Sequence, residues 1–118
     1  GTLTLAVQLR ADAEYMITVP AEAFRPVPKV DSGVVRLTRL KAPRLPEGLT
    51  EGEFNRVIHS AFAQRRKMAA KLLASALNLP RPAVDAAFTA SGIDPTARAE
   101  TIPFDRFAAL TRALKAAA

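Results

Sequence analysis

Phe24 opens the stretch FRPVPKVDSGVVRL, which runs to Leu37 and carries Lys29 and two prolines in its first half. An aromatic ring offers a flat face for stacking, and an ammonium on a loop of fixed geometry offers a countercharge to phosphate. Pro26 and Pro28 each fix their own φ and restrict the residue before them, which predicts an extended, polyproline-like path. They also lower the entropy of ordering the loop around a ligand. Asp31 and Ser32 are turn-formers whose side chains bond nearby amides, so they shape the loop and are not assigned as base or nucleophile. A stiff loop anchored to a strand is a frequent place for binding residues. Composition alone favours a plainer role for Phe24, a ring plugging the core after a helical turn. Lys29 reads equally well as a solvated loop lysine.

The second group is Arg65, Arg66 and Lys67, with Lys71 four residues after Lys67 and Arg56 nearby. A lone basic triplet on a helix usually forms a solvated face. Here Arg65 interrupts an apolar stripe, four residues after Ala61, and is expected to face a domain junction or a buried acceptor. Arg66, Lys67, Lys71 and Arg56 would present several cations to a phosphate backbone, with binding that weakens steeply as salt rises. His59 has no evident partner and reads as an exposed or half-buried helix residue.

The distribution of charge supports an anionic partner. The chain is net +6, and two segments carry the excess. Residues 25–44 hold six cations against Asp31, and residues 53–81 hold six against Glu53, each net +5. Such concentrated basic blocks fit nucleic acid better than a generally soluble surface. The absence of cysteine excludes a disulfide framework, and a single histidine leaves a structural zinc without ligands. No apolar run approaches the roughly 20 residues of a membrane-spanning helix. The chain opens on Gly1 with no signal-peptide pattern, as a processed or cut end would, and a cytoplasmic, monomeric protein without membrane partners is expected.

The elements that must hold these groups follow from pattern. Leu3, Leu5, Ala6 and Leu9 predict a short helix ending near Arg10. Residues 14–19 are rich in β-branched and aromatic types and predict a strand, and 34–40 predict a second. A connection of about a dozen residues rules out a two-residue hairpin. Residues 43–49, with Pro43, Pro46 and Gly48, read as a linker between residues 1–42 and 50–118. Thr50 and Glu53 have capping-box spacing, and apolar spacing predicts helices near 51–77, 82–90 and 103–115. Gly92 is expected to terminate the second of these, and Asp94 to cap a turn at Pro95. Two strands alone cannot make a stable sheet. The expected fold is therefore an α+β fragment: the closing helix and strand pair of a larger α/β domain, then a small all-α domain.

Phe24 to Ser32, followed by Val34-Val35-Arg36-Leu37, closely resembles a signature of the rRNA adenine N6,N6-dimethyltransferases. The resemblance continues in Ala61-Phe62-Ala63-Gln64-Arg65-Arg66-Lys67 and in Arg98-Ala99-Glu100-Thr101-Ile102 leading to Phe107. It is nearest to the bacterial enzymes that dimethylate two adjacent adenines in a small-subunit rRNA hairpin loop. The macrolide-resistance methylases of large-subunit rRNA share the Phe24 loop but match the basic segment less well. The resemblance implies that residues 1–42 end a Rossmann-like methyltransferase domain, whose sheet the two strands close as an antiparallel pair. It also implies S-adenosylmethionine as methyl donor, no metal, and the small ribosomal subunit as partner. Phe24 matches the family's aromatic proposed to stack on the target adenine. The glycine-rich turn, the ribose-binding acid and the Asn/Asp-Leu-Pro-Tyr motif are expected upstream of Gly1, so this chain alone should be inactive. Gly33, Val27 and Met68-Ala69-Ala70 depart from the family pattern, the last losing an arginine. A non-enzymatic RNA- or ribosome-binding module is the alternative that the residues themselves allow.

Overall fold

A computed structural model describes residues 1–118. The element order is α1 (Thr2–Arg10), β1 (Ala11–Val19), a 3-10 turn (Ala21–Ala23), β2 (Ser32–Arg39), α2 (Glu51–Ala61), α3 (Ala69–Leu77), α4 (Arg81–Ala90), a second 3-10 turn (Ala99–Thr101) and α5 (Phe104–Ala117). The chain divides into two compact units. One is Ala6–Arg44; the other is Leu45–Ala118 together with Gly1–Leu5. The first residues thus group with the helices rather than with the strands, and Leu5 is buried there. No helix is long and apolar enough to cross a membrane.

In the first unit β1 and β2 pair antiparallel, from Ala11 opposite Arg39 to Val19 opposite Ser32. The register shifts between Tyr15 and Ile17, leaving Met16 as an extra residue in β1. Strict alternation would put Tyr15 and Ile17 on one face, but a bulge reverses the alternation beyond it. Tyr15, Thr18, Gly33, Val35 and Leu37 therefore share one face, while Ile17 and Val34 lie on the other. The Tyr15 ring covers Gly33, where an added Cβ would meet Cε2 at 2.9 Å. Tyr15, Ile17, Val34, Val35 and Leu37 are all exposed. Apolar side chains on both faces are the pattern of strands covered on both sides.

In the second unit α2, α3, α4 and α5 form a ring, each packed on two neighbours. Its centre holds Phe54, Leu73, Phe88, Phe107 and Leu110, all essentially inaccessible to water. Burying each of these side chains contributes roughly 1.5–3 kcal/mol before conformational entropy is subtracted. Phe54 meets Phe104 with ring centroids 5.1 Å apart, and Phe62 meets Phe107 at 5.9 Å. The one buried polar residue, Thr111, donates its hydroxyl to the Phe107 carbonyl at 2.8 Å.

Local chemistry sets the helix ends. The Thr50 hydroxyl accepts the Glu53 amide at 3.1 Å and Glu53 accepts the Thr50 amide at 2.9 Å, a reciprocal capping box. Those bonds, with the Thr50 amide foremost and Lys115 next, hold the Glu53 carboxyl below its ordinary pKa. Asn78 ends α3 in the left-handed region at φ 53°. Gly92, at φ 72°, ends α4 while the Ile93 amide reaches back to the Phe88 carbonyl at 2.9 Å. Asp94 accepts both the amide and the hydroxyl of Thr96, at 2.8 and 2.7 Å, which lowers its pKa.

The expected helix over 51–77 is not continuous. It stops at Ala61, passes through a turn and restarts at Ala69. An unbroken helix would continue the stripe of Phe54, Ile58 and Ala61 into Arg65 and carry a guanidinium into the core. Burying an unpaired charge costs several kcal/mol. Breaking the helix turns Arg65 outward and lets α3 restart with a new buried stripe of Ala69, Ala70 and Leu73.

Candidate nucleic-acid interface

The basic turn, residues 62–68, hangs between the end of α2 and the start of α3. The Phe62 amide closes α2 on Ile58 at 3.0 Å, and the Lys67 amide reaches the Gln64 carbonyl at 3.2 Å. The first amide of α3, on Ala69, donates to Ala97 at 3.0 Å. Arg65 is 85% exposed, and its Nε donates to Glu100 at 3.1 Å. The expectation of a buried acceptor is thus replaced by an exposed one. Arg66, Lys67 and Lys71 are exposed and carry no ion pair. Lys71 lies in the first turn of α3, which has no acid and no side-chain cap. A helix N-terminus and adjacent cations both favour an anion.

Arg56 does not join this group. Its Nη2 donates to the Ala76 carbonyl at 3.3 Å, so it caps the far end of α3 rather than the end beside Lys67. α3 rises about 1.5 Å per residue, which separates Arg56 from the basic turn by most of the helix length. His59, in the last turn of α2, is exposed. Glu100 and Ala97, which brace the turn, escaped the sequence reading of the site. Glu100 lies 35 residues from Arg65, so no local spacing links them; its place in the Arg98–Ile102 motif was the one available signal.

The other candidate surface is the loop between β1 and β2. Phe24 follows the 3-10 turn with extended backbone, φ −110° and ψ 154°, and remains 41% exposed, so it does not plug a core in this unit. The Arg25–Pro26 peptide is cis. Lys29 is exposed. Asp31 accepts the Ala21 amide at 2.8 Å, bridging ten residues rather than bonding a nearby amide. Ser32 is the first residue of β2, opposite Val19. The loop is therefore fastened at its base, with the aromatic ring at one side and Lys29 near the other.

Residues 1–116 match the family model for ribosomal RNA adenine dimethylases. The chain belongs to that family. Similar proteins named ribosomal RNA small subunit methyltransferase A include one from Myxococcus xanthus, 44% identical over 115 residues, and one from Ruegeria pomeroyi, 45% identical over 114. Each alignment covers 97% of this chain but only 40% and 39% of the relative. The chain thus spans about two fifths of the length of these relatives. A crystal structure of the 23S rRNA methyltransferase ErmE superposes with a TM-score of 0.75 over 98% of this chain and 46% of that one, at 24% identity. That similarity extends to the fold: five helices and a two-stranded antiparallel sheet.

Proposed function

We propose that this chain is the C-terminal part of an S-adenosylmethionine-dependent rRNA methyltransferase that dimethylates N6 of two adjacent adenines in a small-subunit rRNA hairpin loop. In this reading Phe24 supplies one wall of the target-base pocket, and the basic turn docks the helical unit on the ribosomal particle. β1 and β2 close the sheet of a Rossmann-like domain, which would cover the apolar side chains now exposed on both faces of the pair. The observation that carries the proposal is the turn at 62–68. Three adjacent cations stand exposed there, where Arg65 breaks an apolar helix stripe, in a chain whose relatives are named as small-subunit rRNA methyltransferases.

The adenine N6 amine is a poor nucleophile, because its lone pair is delocalised into the ring. Holding the splayed base against the methyl donor is then the main catalytic task. Phe24 serves it by stacking, and Lys29 by meeting a phosphate next to the flipped nucleotide. The cofactor site is assigned to residues outside this chain.

Small-subunit specificity follows the names of the relatives at 44–45% identity. Incubating the full-length protein with labelled S-adenosylmethionine and isolated undermethylated ribosomal subunits tests it. Label should enter adenines of the small-subunit RNA. Label confined to the large subunit transfers the assignment to the resistance class, and no label on either favours a non-enzymatic RNA-binding module.

A further inference from the structure

We infer that Glu100 is a positioning residue for the RNA-docking turn, acting through Arg65. The inference rests on the docking role proposed above. Two hydrogen bonds tie the turn and the α3 residue that follows it to the rest of the helical unit, and both end on one short segment: Ala69, the first residue of α3, donates to Ala97 at 3.0 Å, and Arg65 of the turn to Glu100 at 3.1 Å. That segment is itself rigidly held. The Ala97 amide donates to Asp94 at 2.9 Å, and the amide and hydroxyl of Thr101 both donate to Arg98, at 3.0 and 2.8 Å. Ala99 and Ile102 anchor it in the core.

The three cations therefore divide their work. Arg65 is neutralised and acts as a tether, while Arg66 and Lys67 remain unpaired beside it. With both partners solvent-exposed, the pair contributes little to global stability. Its effect lies in the order it imposes on a seven-residue connection, which otherwise must be ordered when RNA binds. The direction of the effect is diagnostic. Coulomb attraction alone predicts that removing an acid from a phosphate-binding surface tightens binding. A positioning role predicts the opposite.

The test uses the full-length protein and undermethylated small ribosomal subunits, with affinity measured against salt. Glu100→Gln should weaken binding roughly two- to fivefold with an unchanged thermal midpoint. Exchanging the partners, Arg65→Glu with Glu100→Arg, should restore most of the loss. Glu100→Gln binding as tightly as the parent, or more tightly, overturns the inference, as does failure of the exchange to rescue. Arg66→Ala with Lys67→Ala distinguishes the underlying reading. If that variant loses salt-dependent binding while Glu100→Gln binds normally, only the positioning role fails. If it binds with an unchanged salt slope, the docking role and the tether fail together.

Discussion

Replacing Arg66 and Lys67 with alanine should change how binding responds to salt far more than how the protein unfolds. Both side chains are exposed, carry no ion pair and lie outside the helices, so no core contact is lost. The thermal midpoint should therefore stay close to that of the parent, since exposed substitutions of this kind fall within about ±0.5 kcal/mol. Each phosphate neutralised contributes about 0.7 to the slope of log affinity against log salt for single strands and about 0.9 for a duplex. Two cations then account for about 1.4 to 1.8 of that slope. Between about 50 and 200 mM salt, the parent should lose about seven- to twelvefold more affinity than the double variant. Filter binding or fluorescence anisotropy on undermethylated small subunits, at four or more salt concentrations, measures the difference. An unchanged slope would refute the docking role of the turn, even if affinity at one salt concentration fell. A lowered thermal midpoint would instead assign the two residues to the fold.

Phe24→Ala in the full-length protein should lower the methylation rate by the worth of one stacked base, roughly 1–3 kcal/mol, with little change in thermal midpoint. Retained activity, or unfolding at ordinary temperature, counts against stacking. Gly92→Ala should destabilise the helical unit by about 1 kcal/mol or more, read by denaturant unfolding, because alanine is strained at positive φ. The Glu53 carboxyl has its pKa lowered by folding, so its stabilisation is fully present above the unfolded pKa and disappears as pH falls through the folded one. Thermal midpoints of Glu53→Gln should accordingly fall less steeply than the parent's on acidification below the ordinary carboxylate range. Parallel curves would show that the capping charge carries no pH dependence.

Much of the helical unit was legible because its signals are local. Thr50 with Glu53, Gly92 and Asp94 each act on amides or carbonyls within a few residues, and each stands at the end of the element it was expected to bound. Arg65 was legible only as an anomaly. Its place in the apolar stripe was evident from spacing, but the spacing could not say whether the charge would find a buried partner or break the helix. Arg56 joined the basic group by proximity in sequence and left it because Ala76 offered a carbonyl across the helix pair. On the loop, Phe24 and Lys29 were readable as a ring and a cation, whereas the bond that fastens the loop, Ala21 to Asp31, depends on how its two ends meet.

The sequence by itself determined the element types, most of their ends, the two basic blocks and the family motifs. These depend on residue type and on neighbours a few positions away, where backbone geometry leaves few choices. Tertiary structure alone decided the break at 62–68, the Met16 bulge that puts Tyr15 and Ile17 on opposite faces, and the pairing of Arg65 with Glu100. Each of these is a competition between distant groups: a charge against a core, one strand's register against another's, a guanidinium against water. Such competitions are resolved only when the chain has brought the competitors together.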